Sequence, residues 1–586
     1  MDPVIVVGAG PVGLTLALAL ARLEVPVVLL DEGTGAEEHR LARTAVLRPD
    51  TAALVARLGC AELVAKERWT AWRTVRRRQA VRTAPFAAPL DGSGAGQDAS
   101  PPPARERAAE ESPESGRAAE VVAPVHLPQH ELTRALRAAL RVLAEASPGL
   151  VTLATGSRLD TLEQDAAGIT AHTRHGTWWR GSYLVGCDGP RSTVRKLLQV
   201  RFPGRTAVER HAVAALRTEL PWPGEGLLHR SPPWRGADGE IVARPLPGGV
   251  WRLDWLLPPG RELVTPDALL TRVRETLSGW CDGAPPPYEL LDTGVHTVHH
   301  RLARRWRVGR AFLAGDAAHL IGALGTQGVD EGLRDVGNLS WKLGLAWHHG
   351  RGEAQRLLDS YQAERRAAVG ARLRGADQAL PLVRATDGWH AVRRTVVPGT
   401  VRGHDTLLTD SHMGRGPLGG PPVHARSPLT PPVAPAGSVT VDTPIGALVT
   451  DVPVTAPDGS AVRLRERLGR DLLVVLVAPG TAVWERRHWL RAGLMPRLAA
   501  AVAALPVRAE LLVAESYPGA AAHTVLLIRP DGHLVAALSG VRPGELYACA
   551  DATRGGAPAR DDATADDGEA AAEAPTAETE ATAGRR

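Results

Sequence analysis

Residues 314–335 read AGDAAHLIGALGTQGVDEGLRD, so Gly315 and Asp316 close a short apolar run and are followed by Gly322, Gly325 and Gly328 and an acid-led helix start. A carboxylate at the end of a strand can accept hydrogen bonds from vicinal hydroxyls. Glycines let backbone approach a flat ligand, and helix-opening amides favour negative charge nearby. A second chemical element lies at the other end of the chain. PVIVVGAGPVGLTLALAL carries Gly8, Gly10 and Gly13 in the spacing G-x-G-x-x-G, with Pro11 and Val12 between them. The fingerprint follows an apolar strand and opens a helix, and the next strand ends in Asp31 and Glu32. In that context it predicts a dinucleotide site, with pyrophosphate at the helix N-terminus and Asp31 on ribose hydroxyls. It does not choose between NAD and FAD. A third element, YLVGCDGPRSTVRK, holds Asp188-Gly189-Pro190, which by itself also makes an ordinary turn.

The elements that must position these residues are legible as patterns. The first 32 residues read strand, turn, helix, strand. Residues 86–120 are rich in Gly, Pro, Ser and charge and are expected to be a disordered insertion. Helical periodicity resumes at 128–146, residues 201–300 are strand-rich, and 333–384 are helical. A Pro/Gly-rich stretch at 414–437 reads as linker, 438–548 alternates strands and helices, and the Ala/Glu/Asp-rich end reads as a disordered tail.

At 586 residues the chain has room for two or three domains, and 44% hydrophobic residues can build a large core. The net charge is +5, and the only lysines are Lys66, Lys196 and Lys342. No basic stripe interleaves with aromatics, so nucleic acid is not expected as a partner. The four cysteines lack metal-ligand spacing, which excludes a zinc framework and fits a cytoplasmic setting. Arg22, Glu24 and Pro26 interrupt the apolar stretch from Val12 to Leu30, so no membrane span is expected there.

Together, the three motifs resemble the class A flavoprotein monooxygenases, the para-hydroxybenzoate hydroxylase and phenol hydroxylase group, in order and spacing over roughly residues 1–400. The resemblance implies an α/β fold in which a Rossmann-like FAD-binding domain (1–70 and 121–200) is interleaved with a β-sheet substrate domain (71–85 and 201–298). The FAD motif and a helical region follow (299–400), then a linker (401–437). A C-terminal thioredoxin-like α/β domain (438–548) and a tail (549–586) complete the chain.

The resemblance also implies residue roles. Asp316 would hold the ribityl chain of FAD, and Gly325 and Gly328 would admit the flavin ring. The amides of Val329 and Asp330 would face its N1/O2 edge. Arg43 would lie near the pyrophosphate, Gln129 near the cofactor, and Asp188 would serve both FAD and nicotinamide handling. NADPH or NADH would reduce the flavin, O2 would form a C4a-hydroperoxide, and an aromatic or polyketide-type substrate would be hydroxylated. Baeyer–Villiger or epoxidising chemistry uses the same scaffold. A halogenase would show W-x-W-x-I-P, which VWRLDWLLP does not match, and a non-catalytic flavoprotein scaffold is a further alternative.

This chain departs from the family at three places. Gly322 and Ala323 stand where relatives carry prolines, Asp330 stands for an asparagine, and Arg334 stands for a glutamine. The substrate side is expected to include His211, Trp251, Trp255 and Arg252. His211 is a candidate base, and Arg252 could orient an acidic group or form an ion pair. The C-terminal domain lacks Cys-x-x-Cys, so a structural or homodimer-forming role is its expectation.

Overall fold

The computed structural model describes residues 1–35, 39–65, 68–87, 122–234, 239–258, 264–349, 355–384, 400–456, 458–480 and 493–556. Nearly all of the expected insertion at 86–120, and the tail from 557 onward, lie outside them.

Val4–Val7 and Val27–Leu30 are unbroken apolar runs and are buried throughout, as strands covered on both faces must be. They sit inside a six-stranded sheet whose order is 307–308, 311–313, 183–186, 4–7, 27–30, 151–154. Its strands pair in parallel except for the 307–313 hairpin at one edge. The helices Pro11–Arg22 and Gly328–His349 pack over this sheet with Leu14, Leu18, Leu333 and Leu339 fully buried.

The second layer is an eight-stranded sheet, in which Gly204–Thr218 is flanked by Tyr288–Leu302 and Val250–Leu256. The sheet continues through Glu240–Leu246 and Glu225–Arg230 to Ala71–Arg76 and Gln79–Pro85. Side chains alternate faces along each strand. Ala212, Ala214, Leu216, Ile241, Ala243, Trp251, Leu253 and Trp255 therefore share one face, which packs against the helix Pro266–Trp280 in a single hydrophobic cluster. The interleaved residues of the same strands turn the other way, toward the first domain.

Two boundaries differ from the sequence expectation. The segment taken as linker, 401–437, contains the helix Thr400–Met413, which buries Leu408, Thr409, Ser411, His412 and Met413 against the substrate sheet and the 367–383 helix. The tail expected from 549 begins later, because the helix Pro543–Thr553 carries Cys549 and Ala550 into the C-terminal core. That C-terminal unit is built on a mixed six-stranded sheet, whose central strand Leu472–Val477 is wholly buried.

Candidate flavin site

The glycine fingerprint folds as a tight turn from the first strand into the first helix. A Cβ on Gly13 would lie 1.9 Å from the Gly8 carbonyl oxygen, so only glycine lets the turn close, whereas nothing lies within 4 Å of a Cβ on Gly10. The helix opens at Gly10 and Pro11 without a side-chain cap, which leaves its first amides free for an anion. Val12 packs into the Gly-Asp motif, since its side chain would stand 2.6 Å from a Cβ on Gly332 and 3.0 Å from one on Gly315. Asp31 follows the second strand and accepts from the Gly33 amide at 3.0 Å. Glu32 beside it is exposed, 3.7 Å from Arg158.

A cavity of about 880 Å³ runs between the two sheets. Arg43 and Gln129 stand together at its wall, Arg43 Nε donating to Gln129 Oε1 at 3.1 Å. Asp316, Gly325, Gly328 and Val329 line it as well. Burial pushes the Asp316 carboxyl above the usual carboxylate range. No described residue donates a hydrogen bond to it, so hydroxyl donors from a ligand would be well received. The turn that presents it is held by Asp335, which accepts from the Gly315 amide at 2.9 Å and from His319 Nε2 at 2.8 Å while Arg365 Nε donates to its other oxygen at 2.9 Å. Asp335 was not singled out in the sequence, although GLRD places it about two turns into the helix.

The Asp330 side chain is committed to groups outside the cavity. Its carboxylate does not face the cavity. It is 2% exposed and accepts from the Arg48 amide at 2.9 Å and from the Thr51 hydroxyl at 2.5 Å, with Arg334 at 3.2 Å. The negative charge is thus spent on Arg48, Thr51 and Arg334. Asp188 is similarly committed. It accepts from the Ser192 hydroxyl and the Thr193 and Val194 amides at 2.5, 2.6 and 3.0 Å, capping the short helix Thr193–Leu197, and it does not line the cavity. In the altered loop, Leu324 is buried with φ at 54°, a left-handed conformation that side chains rarely adopt. Gly325 beside it has φ at 84°, and a Cβ there would meet the His412 ring at 2.9 Å.

The opposite wall is the second face of the substrate sheet. His211 lines it, and so does Arg252, but Trp251 and Trp255 do not: one register step puts both in the core under the 266–280 helix. Arg252 is fully engaged, with Nη2 donating to Asp254 at 2.6 Å and Nη1 to the Thr44 hydroxyl at 2.6 Å. Arg244 reaches Asp254 at 3.3 Å. Burial raises the Asp254 carboxyl, but Arg252 and Arg244 outweigh it and hold the group well below its ordinary value. Arg384 bridges Glu209 at 2.7 Å and Glu240 at 2.5 and 2.8 Å, and His211 Nε2 lies 3.4 Å from Glu209. His296 also lines the wall, its pKa lowered to about 4 by burial and by Arg252. Among these, Glu209, Glu240, Arg244, Asp254 and His296 were legible only as the alternate positions of strands, while Arg384 and His412 lie outside any motif.

A bare carboxylate and a glycine-led helix start on one cavity, with a dinucleotide-type turn packed against them through Val12, are the features of a flavin-binding protein. The chain belongs to the FAD-binding domain family of the class A flavoprotein monooxygenases, whose family model matches residues 1–376. It is similar to the 3-(3-hydroxy-phenyl)propionate/3-hydroxycinnamic acid hydroxylase of Paraburkholderia xenovorans, 35% identical over 219 residues, which is 36% of this chain and 33% of that protein. It is also similar to the rifampicin monooxygenase of Streptomyces venezuelae, 35% identical over 258 residues, 43% of this chain and 53% of the relative. The chain thus spans about a third to a half of the length of these relatives. The solved structure of the flavin-dependent monooxygenase PieE in complex with FAD and substrate superposes with a TM-score of 0.67 at 20% identity, covering 94% of this chain and 98% of that one, a likeness of fold.

Proposed function

We propose that this protein is an FAD-dependent monooxygenase that uses NADPH or NADH and O2 to hydroxylate an oxygen-bearing aromatic or polyketide-type compound. The observation that carries this reading is the shared cavity: Asp316 and Gly325–Val329 on one side and the charged sheet face on the other. The relatives named for hydroxylation of a phenylpropionate and for rifampicin support the reaction type and the breadth of substrate.

Bound FAD would supply activation of O2 with electrons from the nicotinamide. The protein's own residues would do the rest. Asp316 would take the ribityl hydroxyls, the Gly10–Gly13 turn and Arg43 the pyrophosphate, and the Val329 and Asp330 amides the flavin edge that gains negative charge. Asp188 would act on nicotinamide handling only indirectly, by fixing the turn that presents Pro190 and Arg191 to the cavity. On the far wall, the ion-paired face built by Arg252, Asp254, Arg244, Glu240 and Arg384 offers hydrogen-bond partners to substrate oxygens, and an apolar substrate would desolvate those groups without compensation. His211, steadied by Glu209, is placed to accept a phenolic proton.

The test is to purify the protein with its flavin and follow NAD(P)H oxidation with candidate phenols and polyketides under ¹⁸O2. One labelled oxygen in a hydroxylated product supports the reading. A ring-expanded ester would reassign it to Baeyer–Villiger chemistry, and a protein that holds no flavin would end it.

A further inference from the structure

A second cavity, of about 320 Å³, lies on the far side of the 328–349 helix, at the seam between the FAD-binding domain and the C-terminal domain. Its walls come from the ends of the first helix and of the 49–60 segment, from the 328–349 helix, and from the C-terminal domain at Arg465 and residues 530–533. None of these residues belongs to the flavin cavity.

Two guanidiniums on this cavity have only backbone partners. Arg57 Nη1 donates to the Arg465 carbonyl at 2.8 Å, and Arg465 donates through Nε and Nη2 to the Val449 carbonyl at 3.1 and 2.7 Å. Neither has a carboxylate within 4.0 Å among the described residues. The nearest acids are engaged elsewhere: Asp50 takes Arg334 at 2.7 and 3.1 Å, and Asp451 takes Arg463 Nε at 3.2 Å and the Arg465 amide at 2.9 Å. The two like charges are close enough to disfavour each other, and with burial they bring Arg57 down to about 10.

An independent observation points the same way. Arg365 Nη1, His424 Nε2 and His533 Nε2 are buried on this cavity without a hydrogen-bond partner, in side chains only 1%, 5% and 8% exposed. Unpartnered buried polar atoms are costly, and several converging on one cavity mark a ligand that would satisfy them. The donors stand in a wall otherwise built largely from apolar side chains such as Leu23, Leu54, Leu58 and Leu448, and the cavity's two carboxylates, Asp50 and Asp531, are both ion-paired.

We propose that the seam cavity is a binding site for a compact polyanion, a phosphate ester or a small polycarboxylate, held by Arg57 and Arg465 with Arg365 and His424 completing the shell. A planar guanidinium pair suits either oxyanion. Such a ligand would bridge the two domains, and it would sit against Arg334, which contacts Asp330 at 3.2 Å behind the flavin-facing helix start.

The test uses protein saturated with FAD, so that the dinucleotide site is filled. Isothermal titration with pyrophosphate and, separately, with citrate, each against chloride at equal ionic strength, should show saturable binding of one ligand per chain. Tighter binding of pyrophosphate identifies a phosphate-type ligand, and tighter binding of citrate a polycarboxylate. The double variant Arg57→Gln/Arg465→Gln, checked for normal flavin content, should weaken that binding by roughly a hundredfold or more, since two charge-assisted contacts are lost. Should the variant not fold, arginine-selective dicarbonyl labelling of the native holoprotein reads the same point by mass spectrometry. The polyanion should slow labelling of Arg57 and Arg465 and leave the exposed Arg508 unchanged. No saturable heat, undiminished binding by a folded double variant, or equal labelling with and without the anion would overturn the proposal.

Discussion

Asp316 and Glu209 are carboxylates on one cavity, and their neighbours give them opposite characters. Asp316 has no hydrogen-bond donor among the described residues, and burial raises it. Glu209 is also penalised by burial, yet Arg384 and His211 outweigh that and bring it to about 2. Asp316→Ala should therefore fold and lose flavin, read as the absorbance ratio of flavin to protein after gel filtration; unchanged occupancy would remove its assigned role. For Glu209 the sign follows from linkage. A carboxyl depressed in the fold stabilises fully above its unfolded value of 4.5 and loses that contribution as pH falls toward 2. Glu209→Gln should then show a shallower loss of denaturation midpoint between those two pH values than the native chain. His211→Asn should lower kcat by about 10²-fold or more if the imidazole accepts the substrate proton, with FAD content unchanged; a native rate would exclude it as the base. Gly13 could be read from the sequence because the spacing of its motif is fixed by the ligand it would hold, whereas Arg43, Gln129 and Asp316 were singled out through the family resemblance. Glu209, Arg244 and Asp254 could not, because alternation separates a strand's two faces without saying which one meets the core. Trp251 and Trp255 went to the wrong face for that reason.

At the scale of the element, the helix Thr400–Met413 is the part of the site least visible in the sequence. TVRGHDTLLTDSHM has only Leu407, Leu408 and Met413 as larger apolar residues after Val401 and contains Gly403, and it borders a Pro/Gly-rich stretch. Its place is set by tertiary contacts instead. Arg48 donates to the Ser411 and His412 carbonyls at 2.6 and 2.5 Å, satisfying the helix end, and the His412 ring stacks on Trp72 with centroids 4.6 Å apart. Leu408 is fully buried in that cluster, and Leu408→Ala should cost about 2–5 kcal/mol, measured by urea denaturation. A loss under about 1 kcal/mol would mean the helix is not docked as described. Gly325→Ala tests the same contact from the other side. It places a methyl against His412 and should reduce flavin affinity more than it reduces stability.

Across the whole molecule, the turn at residues 529–532 anchors the C-terminal domain. Arg529 donates to both oxygens of Glu364 at 2.6 and 2.9 Å, where Lys342 at 2.8 Å and Asn338 at 2.7 Å also converge. The Glu364 carboxylate is fully buried and, despite that burial, is held well below its usual range by Arg529 and Lys342. Removing it leaves Lys342 without a carboxylate and Arg529 with Asp531 alone, so Glu364→Gln should destabilise by about 3–5 kcal/mol and split unfolding into two transitions in calorimetry. A single unshifted transition would show that the domains are held otherwise. The order of strands and helices was foreseeable from apolar runs and strand spacing, and the interleaving of the two sheets from the family resemblance. The docking was not, since Glu364 and Arg529 stand 165 positions apart and neither lies in a patterned charge pair.

The family-matched region stops at residue 376, but Arg384 and His412 reach back from beyond it into the flavin cavity. The motifs and the sheet wall thus lie on one side of that boundary, and the groups that brace them lie on the other: Arg384 against Glu209 and Glu240, and His412 against Gly325. A chain cut at the family boundary would keep every cofactor motif yet lose the cation that neutralises Glu209 and Glu240, leaving two buried carboxylates on the cavity wall without it.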